Sequence, residues 1–279
     1  MKVPFIGSEA VVSGELTPYA LRSKFTAIYP DVYMPCNVAL TAQTKAVAAW
    51  LWSGRRAVVA GRSAAAVHGS KWVDARLPAE LMWTNRRPPK GIRCWSQTLA
   101  DDEFEVVNGI RVTTPARTAF DIACRYPFDA AVITIDALAQ RTRLKVADVE
   151  LLADRYRGHR GIRQARTVIA MVDPGAESPR ESSLRLLLIR GGFPPPTTQI
   201  PVYDQYGVLV AVLDMGWEDV KIAAEYDGDH HRTDRRTFNN DIRRSESLNE
   251  LGWIHLRVTA EDTDGGILHR VATAFARRM

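Results

Sequence analysis

Asp214, Glu225 and Asp227 are the residues of this chain whose types and spacing most directly suit chemistry. They stand in DMGWEDVKIAAEYDGDHH, residues 214–231, which also holds the pair His230 and His231 and runs into Arg232 and Arg235. Two or three hard carboxylate oxygens suit Mg²⁺ or Mn²⁺, ions that keep several of their waters. A metal held this way neutralises the charge of a phosphodiester, orients water and lowers the pKa of that water. Three carboxylates crowded into a dry core without a counter-charge would suffer large pKa shifts, so they require a cation. Either a metal or a salt-bridge network with Arg232, Arg235, Arg243 and Arg244 meets that need, and spacing alone leaves both open.

Secondary structure must bring these acids together. GVLVAVLDMGW alternates as a strand with Val208, Val210, Val212 and Asp214 on one face. VKIAAEYDG puts Glu225 and Asp227 on one face and Ile222, Ala224 and Tyr226 on the other. TTQIPVY supplies a third strand, joined to the first of these by a turn at Asp204–Gly207. Upstream, SPRESSLRLLLIRGGF reads as a helix with Ser178 as N-cap, Pro179 at its first position and Gly191 past its end. Glu181 then completes a capping box. Leu184 and Leu188, three and seven residues on, also place Glu181 on the buried face, so its carboxylate serves either that cap or the same metal site. A helix over about 234–251, the strand WIHLRVT and a last helix capped by Asp264 complete the order α-β-β-β-α-β-α, a small mixed sheet flanked by helices.

Pro174, Gly175, Ser178 and Pro179 punctuate MVDPGAESP and divide the chain into regions 1–172 and 173–279. In the first region Thr17-Pro18 opens a short helix and FTAIYPDVYMP forms a hairpin. The pair is either a reduced winged-helix DNA reader or a structural cap. AVVAGRSAAAVHG gives a strand, a glycine turn and a helix whose start, at Gly61, Arg62 and Ser63, is an ordinary cap or an anion site. Residues 72–112 are strand-rich and end in a hairpin at Asn108-Gly109. Helices follow, with Asp121 and Asp136 as caps, hinges or buried hydrogen-bonding groups. RYRGHRGIRQAR then brings Arg155, Arg157, Arg160, Arg163 and Arg166 into a dozen residues, as a DNA-backbone contact or as a solvated helix end.

The net charge of +5 over 279 residues and a pI near 9.2 favour an acidic partner, nucleic acid first. Cys36, Cys94 and Cys124 lie far apart with no CxxC spacing, against a disulfide framework or a zinc site and for a reducing compartment. No long apolar run appears, and MKVPFIGSEAVV lacks the apolar core of a signal peptide. A cytoplasmic protein without membrane segments is expected.

The segment ESSLRLLL…VLDMGW…KIAAEYDGDHH…DIRRSESLNELGWIHLRVT resembles the PD-(D/E)XK nuclease superfamily. It is more closely similar to relatives of the very-short-patch repair endonuclease, from about Glu177 to the end. The resemblance implies a restriction-endonuclease-like fold and DNA cleavage dependent on Mg²⁺ or Mn²⁺. Asp214 and Glu225 would hold the metal, and Asp227 would add a ligand or a hydrogen bond. His231 or His230 would relay a proton or steady the phosphate, with Glu181 and Asp241 at the pattern's helix positions. Asp227 stands where the superfamily's general pattern has lysine, which leaves open what orients the water. DVYMP, AVVAGRSAAAVHG and NGIRVTTPARTAFDIA make the first two thirds similar to AbiEi-type antitoxins of type IV toxin–antitoxin systems. Those are winged-helix proteins that repress their own operons. Together the resemblances imply an α/β (α+β two-domain) DNA-binding protein with a metal-dependent endonuclease domain. The alternative is a non-enzymatic regulator or antitoxin, with a cognate toxin or antitoxin as partner, that keeps the nuclease fold for binding.

Overall fold

Apolar alternation and well-placed caps build three separate sheets along this chain. The structure, a computed structural model, describes residues 4–85, 87–228 and 235–278, and the side chains of 235–242 are outside the description. It divides into two compact units, Met1–Val172 and Asp173–Met279. Eleven α-helices and three sheets are present among the described residues, the α+β composition that the sequence patterns predict.

The first unit opens with β1 (Phe5–Ile6), α1 (Gly7–Val12), α2 (Pro18–Lys24), β2 (Phe25–Tyr29) and β3 (Val32–Pro35). Thr17 caps α2 by accepting the Ala20 N–H at 3.1 Å, and Pro18 supplies a preset φ at the first helical position. Asp31 turns the β2–β3 hairpin at φ 60° and accepts the Ser8 N–H at 2.9 Å, which closes the start of α1. β3 lies between β1 and β2, antiparallel to both. Phe5 meets Phe25 edge-on at 5.0 Å. A three-stranded wing therefore stands behind two helices, where the sequence predicts a hairpin behind one. A strand of two residues and a helix of six are too short to show a period.

After α3 (Ala42–Trp52) come β4 (Val58–Val59), α4 (Gly61–Val67), β5 (Ala79–Met82), β6 (Ile92–Trp95), β7 (Phe104–Val107) and β8 (Ile110–Thr113). The strands form one sheet in the order β6-β5-β4-β8-β7. The β5–β6 and β4–β8 pairs are parallel, while β4–β5 and β7–β8 are antiparallel. Ala46, Ala49 and Ala64 are fully buried beside Val59, Leu81 and Val112, so small side chains let α3 and α4 lie close together over the sheet. Four helices follow: α5 (Pro115–Arg125), α6 (Phe128–Arg141), α7 (Val146–Arg155) and α8 (Ile162–Ile169). Arg117 of α5 is fully buried and ion-paired to Glu103 and, at 3.1 Å, to Asp121. The Tyr156 hydroxyl donates to Glu103 at 2.7 Å, tying α7 to the same charged core.

The second unit runs α9 (Pro179–Arg190), β9 (Thr197–Tyr203), β10 (Leu209–Trp217), β11 (Ile222–Tyr226), α10 (Arg235–Glu250), β12 (Ile254–Val258) and α11 (Asp264–Ala276). Its sheet has the order β12-β11-β10-β9, with β11–β12 parallel and the other pairs antiparallel. Thr263, accepting the Gly266 N–H at 3.2 Å, caps α11, so Asp264 is its first residue and not its cap.

One irregularity matters for the acids. The β9–β10 ladder pairs Leu213 with Ile200 and Met215 with Thr198, and between them Gln199 takes a φ of 53°. Leu213 packs with Ile200, Val202 and Leu248, the last from α10. Met215 packs instead with Leu184 and Leu188 of α9 and with Ile267 and Val271 of α11. The simple alternation over Val208–Asp214 therefore fails. Val208 precedes the strand, Val212 is exposed and Asp214 is mostly covered.

A carboxylate cluster on the second sheet

Asp214 immediately precedes Met215, whose partner across the β10–β11 ladder is Ala224. There the Asp214 Oδ2 accepts the main-chain N–H of Tyr226 at 3.2 Å, taking the place of a strand carbonyl. Glu225, on the neighbouring strand, is buried. Arg244 of α10 binds it with two N–H groups, at 2.6 Å to Oε1 and 3.2 Å to Oε2. The Nε2 of His255, on β12, lies 2.5 Å from Oε2. Glu181 enters from the first turn of α9. Its N–H donates to Ser178 Oγ at 3.2 Å, and its own Oε2 accepts the Glu177 N–H at 2.8 Å.

The electrostatics show that these three acids share one neighbourhood. Burial pushes Asp214 up to about 7, helped by the negative charges of Glu181 and Glu225 and opposed by the Tyr226 N–H and Arg244. Glu181 is also raised, by burial first, although the Glu177 N–H and Ser178 act against it. Burial works in the same direction on Glu225, but His255 and Arg244 outweigh it and hold its carboxyl below the usual range. At neutral pH the cluster contains one firmly ionised carboxylate, Glu225, beside an acid that is half-protonated.

The donor set of Asp214, Glu225 and Glu181 is all hard oxygen, which fits Mg²⁺ or Mn²⁺ in chemistry. The geometry does not bring them together as ligands: among the described residues no three His, Cys, Asp or Glu side chains are grouped to hold a metal ion. Both oxygens of Glu225 are turned to Arg244 and His255. Asp227 lies apart from the trio and pairs with Arg257 at 2.9 Å. The salt-bridge reading therefore describes Glu225 with Arg244 as they stand, whereas Asp227 takes Arg257, outside the four arginines considered, and Asp214 forms no ion pair among the described residues. His230, His231 and the side chain of Asp241 lie outside those residues. His255 is the histidine that reaches the cluster, and no motif marks it. The parallel register that aligns Ala223 with His255 and Glu225 with Arg257 is what puts it on that face.

In the first unit the five arginines of 155–166 are all exposed. Arg155 is held by Asp102 at 2.8 Å and Glu103 at 3.1 Å. Arg157 and Arg166 share Asp154 at 3.7 and 3.0 Å. Arg160 and Arg163 form no ion pair among the described residues. The anion site considered at the start of α4 is filled from within. The Arg62 N–H donates to the Glu80 carboxylate at 2.8 Å, and the Tyr126 hydroxyl donates to its other oxygen. α2, in contrast, leaves Tyr19, Arg22, Ser23 and Lys24 exposed on one short helix beside the wing.

No helix among the described residues is long and apolar enough to cross a membrane. No solved structure matches the chain. Two curated proteins, the uncharacterized proteins MT2308 of Mycobacterium tuberculosis strain CDC 1551 / Oshkosh and Rv2248 of strain ATCC 25618 / H37Rv, are each 33% identical to it over 176 residues. Those residues are 63% of this chain and 64% of each relative, so the chain spans just under two thirds of the relatives' length. Residues 57–171, which begin ahead of β4 and end just past α8, match the family model of the AbiEi antitoxin C-terminal domain.

Proposed function

We propose that the chain is a DNA-binding regulator of the antitoxin type that works with a cognate toxin. The single observation behind this reading is the match of residues 57–171 to the AbiEi antitoxin C-terminal domain. The wing with α2 supports it, because an exposed short helix bearing Tyr19, Arg22 and Lys24 beside a β-hairpin is suited to a DNA groove and its phosphates. The basic net charge adds a non-specific attraction that falls with salt. Arg160 and Arg163 are the members of the second patch left to touch phosphate. The test is fluorescence anisotropy of the full chain on DNA from upstream of its own coding sequence, at several salt concentrations. Binding that falls by about tenfold in Arg22→Ala, against a scrambled duplex as control, is expected. Equal affinity for both duplexes, or no binding at low salt, would overturn the reading.

A second reading, metal-dependent cleavage of DNA by the second unit, is favoured by one observation. Asp214 is mostly covered beside Glu181 and Glu225, and burial first, then their negative charges, push its carboxyl up to about 7, a strain that a divalent cation would relieve. On this reading Glu225 would turn from Arg244 and His255 to join Asp214 and Glu181 around Mg²⁺ or Mn²⁺, which would supply charge neutralisation and a more acidic water. Plasmid nicking with Mg²⁺ or Mn²⁺, lost in Asp214→Ala and Glu225→Ala, is the expected result. Nicking that survives both substitutions would remove the site, and no nicking with either metal would leave the regulator reading alone.

A further inference from the structure

A cavity of about 650 Å³ opens in the first unit, walled by Arg93 and Trp95 of β6, Gln97, Arg125 of α5, and His159 and Arg160 ahead of α8. Three of its walls are guanidinium groups, and no carboxylate is among the lining residues. The acids stand behind it. Asp121 is engaged by Arg117 and lies 4.0 Å from Arg125, and Glu80 lies 3.7 Å from Arg93.

The hydrogen bonding inside this wall is incomplete. Gln97 Oε1 accepts from Arg125 at 2.5 Å and from Arg117 at 3.2 Å, and its amide nitrogen faces His159 Nε2 at 2.6 Å. An amide nitrogen only donates, so His159 Nε2 accepts and the ring proton sits on Nδ1. Burial, with the Arg125 charge, holds the imidazole below its ordinary pKa and so keeps it neutral, although the Arg160 main chain favours the charged form. His159 Nδ1 and Arg125 Nε are both sealed from solvent without a hydrogen-bond acceptor of good geometry among the described residues, as is Asp121 Oδ1, which stands 4.0 Å from Arg125 Nε. Buried donors without acceptors are rare in folded proteins. Gly161, which precedes α8 at φ 89°, also lines the cavity and brings the positive end of that helix to it.

We propose that this cavity binds a phosphate-bearing small molecule of about mononucleotide size. Its volume lies in the ordinary range for small-ligand sites and exceeds what a bare phosphate fills. Guanidinium groups bind phosphate oxygens through paired N–H donors. Arg125 lies 4.2 Å over the Trp95 ring and covers that face, so recognition rests on the phosphate and not on a stacked base. The lining thiol of Cys124 is pushed up to about 12 by burial and by Asp121, so the site binds without a reactive thiolate.

Isothermal titration of the full chain with AMP, ADP, ATP and inorganic phosphate tests this, with a short DNA duplex as a separate titrant. At least one nucleotide is expected to bind, and more tightly than inorganic phosphate. Arg160→Ala, at an exposed position and expected to leave the melting curve intact, is expected to lower that affinity by about tenfold, and Arg163→Ala, off the cavity, to leave it unchanged. No heat from any nucleotide at millimolar concentration, equal affinity in Arg160→Ala, or inorganic phosphate binding as tightly as the nucleotides would each overturn the proposal. Binding of the duplex alone, weakened by Arg160→Ala, would overturn it in favour of a DNA-backbone contact.

Discussion

Glu225 and His255 meet at 2.5 Å across the parallel pair β11–β12, and Arg244 holds the same carboxylate from α10. Three elements of the second unit are thereby tied to one buried charge. The folded carboxyl lies below its ordinary value, so its contribution to stability is present above pH about 4.5 and is lost as pH falls through the folded value. Glu225→Gln is expected to cost about 2–3 kcal/mol at pH 7, because Arg244 and His255 lose their counter-charge. The penalty should shrink toward pH 4. Urea melts of both proteins across that range measure it, and a pH-independent difference would show that packing, not charge, sets the cost.

Asp214 has the opposite sign. Its folded value near 7 exceeds the ordinary 3.8, so the stability it contributes is present below about pH 3.8 and is lost as pH rises through 7. Asp214→Asn keeps the size and an acceptor for the Tyr226 N–H while removing the charge. It should stabilise the second unit at pH 8 by roughly 2 kcal/mol and by much less at pH 5.5. Thermal melts at the two pH values decide it. Equal shifts at both would mean that the carboxylate is better solvated than its burial indicates.

Arg117 is the largest fully buried polar side chain of the first unit and satisfies Glu103 and Asp121 together. Arg117→Ala leaves two acids buried without their cation and should cost about 3–5 kcal/mol, enough to unfold a marginal domain. Arg117→Lys retains the charge but not the planar fork, and should recover only part of the loss. Denaturation followed by tryptophan fluorescence would rank the three proteins.

Two left-handed glycines make a controlled comparison. Gly69, at φ 86°, has open space where a Cβ would go, so Gly69→Ala should cost only the backbone strain, about 1 kcal/mol. At Gly161, φ 89°, a Cβ would collide with the Cys124 carbonyl, and Gly161→Ala should cost more than ~2 kcal/mol. Comparable losses would mean that the Cys124 main chain yields.

Much of the fold was legible because it was written in local chemistry. Thr17-Pro18, Ser178-Pro179 and Asn108-Gly109 mark their elements wherever the chain goes, and the order α-β-β-β-α-β-α follows from such marks. The site was less legible, because it depends on partners distant in sequence. Glu80 closes the start of α4 from a strand 18 residues away, so Gly61-Arg62-Ser63 gave no sign of what fills it. His255 reaches Glu225 only through the parallel register. The alternation from Val208 to Asp214 misled because the β9–β10 ladder shifts register between Leu209 and Ala211 and Gln199, on the neighbouring strand, takes a left-handed φ.

That irregular ladder has a consequence for how the second unit tolerates change. Leu213 and Met215 are two residues apart on one strand, yet their neighbours belong to different layers. A larger or smaller side chain at 213 must be compensated on α10, at Leu248, whereas one at 215 must be compensated on α9 or α11, at Leu184 or Ile267. A library that varies the two positions together would therefore find two independent sets of rescuing substitutions, with Asp214 fixed between them.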